Sequence, residues 1–147
     1  MASGGATEVL VDWPSTEWGP AYSPDGHQIA FVSNKLPAGA TGTWGIWVMP
    51  AAGGEATFLT PCGTGGIPSF SPDGGEILYV RDKDIWKVAA AGGKPVQLTR
   101  THERELSPDF SPDGTRILFM RTAVPEGDIW IADESRLERP PQGGSPG

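Results

Sequence analysis

Cysteine occurs once in the 147 residues, at Cys62, so no disulfide can form within the chain. The thiol lies in a Gly-rich stretch, where a buried or incidental role is expected rather than a reactive one. Histidine is nearly as scarce: His27 and His102 have no cysteine or second histidine at zinc-ligand spacing, so neither a closed metal site nor a cofactor is indicated. Positive charge is short too. Eleven Lys and Arg stand against 18 Asp and Glu, giving a net charge of −7, and no basic run could track a phosphate backbone, which argues against a nucleic-acid partner. No apolar stretch reaches membrane-spanning length, and residues 1–5 carry neither basic residues nor an apolar core, so no signal peptide is visible and the compartment stays open.

Glycine and proline are abundant, 21 and 15 residues, a level that would suggest disorder were they scattered. Most instead recur at fixed offsets. Ser-Pro-Asp-Gly stands at Ser23 to Gly26, Ser71 to Gly74 and Ser111 to Gly114, with periods of 48 and 40 residues, in the range of a four-stranded propeller blade. After each comes an apolar run (Ile29 to Val32, Ile77 to Val80, Ile117 to Met120) and then an Ile-Trp pair (Ile46-Trp47, Ile85-Trp86, Ile129-Trp130). Two of the units add Gly-Gly (Gly53-Gly54, Gly92-Gly93) and, five residues on, Leu-Thr (Leu59-Thr60, Leu98-Thr99).

Short apolar runs bounded by Gly, Pro and Asp read as strands covered on both faces. The expected class is therefore all-β, with blades of four antiparallel strands A to D and three blades per chain, near 19–60, 67–99 and 107–132. Counting back from the anchors, Leu10 falls where Leu98 does, thirteen residues before the serine. Residues 8–12 thus read as a D strand with no A, B or C before it, while the last unit stops after its C strand. The repeats occupy 1–138, and residues 139–147 read as a flexible tail.

In sequence, Pro-Xaa-Phe-Ser-Pro-Asp-Gly, Ile-Leu-Tyr-Val, Asp-Ile-Trp, Gly-Gly and Leu-Thr resemble the repeats of TolB-type β-propellers over roughly residues 4–132. Such propellers commonly have six or seven blades. Three sheets alone would leave two apolar flanks uncovered, so the expectation is a strand-exchanged homodimer forming one six-bladed ring, the alternative being a piece of a longer propeller. The resemblance implies an interaction module. It equally admits the non-catalytic propeller portion of a serine peptidase or a polysaccharide lyase, and only by resemblance does it suggest a periplasmic or other extracytoplasmic setting.

Loops of unequal length, D to A (12–19, 61–67, 100–107) and B to C (33–45, 81–84, 121–127), share one face, where binding specificity is expected. Trp47, Trp86 and Trp130 recur and read as structural; Trp13, Trp18 and Trp44 do not recur and are the candidate ligand-stacking residues on that face, with packing under a loop or at a subunit junction as the ordinary alternative. His102, with Glu103 and Arg104, is the candidate polar contact for a protein, peptide or glycan, although a solvated charged loop would look the same. The repeated serines lack a nucleophile elbow, and the repeated aspartates are turn formers. Convergence of Glu17, Asp109 and Glu103 or Glu105 on a channel is the sole arrangement of carboxylates that would suggest glycosidic chemistry, and no catalytic residue is assigned.

Overall fold

The computed structural model describes residues 5–64, 67–122 and 127–137. Its strands are β1 (Glu17–Tyr22), β2 (Gln28–Ser33), β3 (Trp44–Pro50), β4 (Thr57–Cys62), β5 (Ser69–Phe70), β6 (Glu76–Arg81), β7 (Asp84–Ala89), β8 (Val96–Gln97), β9 (Arg104–Phe110), β10 (Arg116–Thr122) and β11 (Gly127–Asp133). They form three antiparallel sheets ordered β1-β2-β3-β4, β5-β6-β7-β8 and β9-β10-β11. A four-residue helix, α1 (Glu134–Leu137), follows the last strand.

Each Ser-Pro-Asp-Gly closes the turn between the first two strands of a sheet. Gly26, Gly74 and Gly114 take φ of 73° to 74°, a conformation glycine adopts without a Cβ clash. The serine and aspartate lock the turn from inside. Ser71 Oγ donates to Asp73 at 2.6 Å and accepts from the Glu76 amide, while Asp73 accepts from the Gly75 amide; Ser23 with Asp25 and Ser111 with Asp113 repeat the set. The serine hydroxyl first, and the backbone amide next, hold all three carboxyls below the usual carboxylate range, Asp113 down to about 2.

Period-two alternation gives every sheet two apolar faces. Toward the preceding blade point Ile77, Tyr79, Trp86 and Val88 of the second sheet and Ile117 and Phe119 of the third, and the same repeat positions of the first sheet, Ile29, Phe31, Trp47 and Met49, form its outer face. Toward the following blade point Ala30, Val32, Ile46 and Val48 of the first sheet, and Leu78 and Ile85 of the second. These meet in two buried cores, one between sheets one and two and one between sheets two and three. Leu59 joins the first core and Leu98 the second, which explains the recurring Leu-Thr. Burying such side chains stabilises by about 1.5–3 kcal/mol each. Lys87 adds a polar tie, its ammonium 2.9 Å from Glu76 and 2.7 Å from Glu134 of α1.

Two departures from the sequence reading stand out. The first strands of blades one and three start earlier than the Pro-Xaa-Phe segment, at Glu17 and Arg104, because the backbone keeps pairing past a bulge. Residues 8–12 form no strand in the single chain. An edge strand needs a neighbour, and the third sheet lies at the far end of the stack. Val11 and Trp13 pack instead over the outer face of the first sheet, against the cluster of Ile29, Phe31, Trp47 and Met49. The tail 139–147 lies outside the described residues.

Candidate functional site

The strand ends carrying the unequal loops gather at one end of the stack. There an opening of about 490 Å³ is lined by Gly42 and Thr43 of the long loop before β3, Cys62, Gly63 and Thr64 at the end of β4, Asp82 and Lys83 of the β6–β7 hairpin, and Arg104 of β9. All three blades contribute to it. The Gly63 amide donates to the Val80 carbonyl at 2.9 Å and Arg104 donates to the Thr64 carbonyl at 3.1 Å, so the rim is tied across blade boundaries. Asp82 and Lys83 both adopt positive φ, 50° and 75°, the geometry of a two-residue hairpin turn whose twist matches the strands it joins. Burial pushes the Cys62 thiol up to about 12, against a smaller pull from Arg81. The neutral thiol thus forms part of the wall.

Trp44 opens β3, in register with Cys62, and meets Trp18 of β1 edge to face at 6.1 Å. Both are half-buried strand residues packed on the core between blades one and two. Trp13 belongs elsewhere. Its ring lies 4.8 Å from Trp47 and 5.9 Å from Phe31 on the opposite side of that sheet, with the Lys35 ammonium 3.8 Å from its centroid. The three non-recurring tryptophans thus make no single platform: two stand at the loop end and the third covers a flank, because the chain before β1 runs over the outer face of the first sheet.

His102 is exposed, and Arg104 is exposed at the rim. Glu103 is half-buried, 3.5 Å from Arg121 Nε. Glu105 is no loop residue. It lies in β9, fully buried, accepting from Arg121 at 2.7 and 3.1 Å and from the Thr99 hydroxyl, which itself accepts from the Ile85 amide at 2.9 Å. A buried carboxylate is tolerated when a guanidinium and hydroxyls satisfy it. The offset gives a signal that sequence reading missed: Glu105 stands six residues before Ser111 as Glu17 stands six before Ser23. Glu17 likewise accepts from a β2 residue, Ser33, at 2.9 Å. Asp109 accepts from Ser69 at 2.6 Å. The carboxylates considered for glycosidic chemistry are thus all engaged, Glu17 by Ser33, Asp109 by Ser69, and Glu103 and Glu105 both by Arg121.

A second hollow, of about 440 Å³, lies where the first strands of the three sheets converge, lined by Ala21, Tyr22, Phe70, Ser69 and Asp109 among others. Tyr22 and Ile67 are largely exposed there. Neither was singled out by sequence, since both sit among turn residues. Among the described residues no group of three His, Cys, Asp or Glu could hold a metal ion, and no helix is long and apolar enough to cross a membrane.

Stacked antiparallel sheets with their first strands innermost define a β-propeller wall. A family model of the TolB beta propeller domain matches residues 1–138, and the chain belongs to that family. TolB from Acinetobacter baumannii is similar in structure, with a TM-score of 0.71 and 20% identity, over 90% of this chain and 33% of that one. A putative TolB from Agrobacterium tumefaciens aligns with a TM-score of 0.56 and 23% identity, over 87% of this chain and 62% of that one. The β-propeller domain of the Trilobed protease from Pyrococcus furiosus, described as having an open velcro topology, aligns with a TM-score of 0.59 and 20% identity, over 84% and 40%. This chain thus spans less than two thirds of the length of each.

Proposed function

We propose that the protein is a non-catalytic propeller scaffold that binds a protein, peptide or glycan at its loop-bearing face and assembles with a second copy into a six-bladed ring. The observation that carries the binding role is the opening to which all three blades contribute residues, from Gly42 to Arg104. Its lining offers backbone amides, hydroxyls, the Asp82 carboxylate, one ammonium and one guanidinium, with the Trp44 and Trp18 pair beside it. Such a mixture suits a polar chain with an apolar side group better than a small apolar ligand. The Glu105 and Arg121 pair behind the rim holds the third blade's contribution in place.

Thermal shift against peptide and oligosaccharide panels tests this reading. A binder should raise the melting temperature, and Trp44→Ala or Arg104→Ala should abolish the rise while Trp13→Ala leaves it. Stabilisation that persists through Trp18→Ala, Trp44→Ala and Arg104→Ala alike would end the reading. Likeness to the propeller domain of a protease and to an oligogalacturonate lyase favours a second one, in which this chain is the accessory propeller of a hydrolase or of a polysaccharide lyase. Co-purification with a hydrolase or lyase domain would favour it.

A further inference from the structure

The third sheet is unfinished in a specific way. β11 pairs with β10 on one side, and its other edge has no strand beside it among the described residues. Its outward face carries Leu118 at 46%, Ile129 at 70% and Ile131 at 59% exposure. The same repeat positions in blade one are Ala30, Ile46 and Val48, all buried. What buries those is the next blade's Ile77, Tyr79, Trp86 and Val88 face. The third sheet spends its copy of that face, Ile117 and Phe119, on blade two, and the first sheet's copy, Ile29, Phe31, Trp47 and Met49, has no blade against it among the described residues. Among the described residues the segment before β1 covers it, with Leu10 and Val11 beside Ile29, Phe31 and Met49 and with Trp13 on Phe31 and Trp47. Leu10 thus lies against blade one as Leu98 lies in the core against blade three.

We propose that a second copy of this chain finishes the third blade: residues 8–12 of one chain add antiparallel to the free edge of β11 of the other, with Val9 opposite Trp130. This rests on the homodimeric ring proposed above and gives it a strand, a register and a seat. The register follows from the two complete blades, where Trp47 faces Phe58 and Trp86 faces Gln97, each the residue before the recurring leucine. Val9 precedes Leu10, so it meets Trp130, and Glu8 meets Ile131. In blade two the Leu98 amide donates to the Ile85 carbonyl at 2.8 Å; its counterpart is Leu10 donating to Ile129. Leu10 then points with Ile129 and Ile131 onto Ile29, Phe31 and Met49. Two-fold symmetry repeats the join at the other end, giving six blades with neither flank nor edge left open.

Cysteine pairs read the register directly. The residues Val9 and Trp130 would form a non-hydrogen-bonded pair, roughly 4.5 Å between Cα atoms, within disulfide reach. The chain carrying Val9→Cys and Trp130→Cys, oxidised with glutathione disulfide, should run at twice the chain mass on non-reducing denaturing gels. A second chain, Glu8→Cys with Ile131→Cys, alters only exposed positions and guards against misfolding from loss of the tryptophan. Val9→Cys with Asp128→Cys is out of register and should stay single. A bond between chains in either in-register pair, absent from the third, upholds the exchange. A bond within one chain overturns it. A two-chain particle by sedimentation that forms no bond at either in-register pair also overturns it, while leaving the homodimer standing; a lone chain without bonds ends both.

Discussion

Ile46 and Ile129 occupy one position of the repeat, the residue before the recurring tryptophan, yet Ile46 is wholly buried and Ile129 leaves 70% of its surface to water. Their own strands are alike: each pairs with a second strand carrying Ile and Phe on the opposite face of the sheet. The difference lies outside the sheet. A blade beyond blade one covers Ile46, and among the described residues nothing stands beyond blade three. The repeat therefore specifies a sheet with two apolar faces, and the burial of either face is a property of what lies next to it.

Arg121→Ala should have the largest effect, because it leaves the buried Glu105 carboxylate without its guanidinium; the expected loss is about 3–5 kcal/mol in urea unfolding. A loss under about 1 kcal/mol would mean that the third blade is loosely held on its inner side as well as bare on its outer one. Next comes the matched pair. Ile46→Ala should cost about 2–5 kcal/mol at any protein concentration. Ile129→Ala should change a dilute single chain by no more than about 0.5 kcal/mol, yet destabilise concentrated protein, since a copy docked there makes stability depend on concentration. Equal losses for both at high dilution would break the comparison.

Gly45→Ala probes the covered flank of blade one, where an added Cβ would sit 2.4 Å from Phe58 Cε2 and 3.1 Å from Leu36 Cδ2. Overpacking of this kind costs roughly 1–3 kcal/mol, read as a drop in the urea midpoint. The smallest effect is that of acid. Asp113 falls from 3.8 to about 2 on folding, so its turn contributes stability above the unfolded value and loses it as pH falls through the folded one. Unfolding monitored from pH 4 to pH 2 should show this slope shrink in Asp113→Asn, and an unchanged slope would remove the turn from the account.

The blade pattern was legible because turns and cores are local demands: Asp-Gly must supply positive φ, and Ile-Trp must face a neighbour. The strand at 8–12 was not, since its pairing needs an edge that its own chain does not place beside it. Trp13 was read as a loop residue for the same reason; its place on Trp47 depends on the path of a segment without a strand partner. Glu105 was hidden by its charged neighbours His102 to Arg104, although the six-residue offset it shares with Glu17 marked it. Trp18 and Trp44 sit at the loop end as expected, but as strand residues, because β1 and β3 extend further toward that end than their apolar runs suggest.

The mass of the particle in solution bears most directly on whether the open flank of blade three seats on the flank of blade one of another copy, over the segment before β1. Sedimentation equilibrium on the full chain should return twice the 15.5 kDa of one chain at micromolar concentration, shifting toward one chain in Ile131→Asp. A compact single chain of 15.5 kDa, unchanged by that substitution, would contradict it.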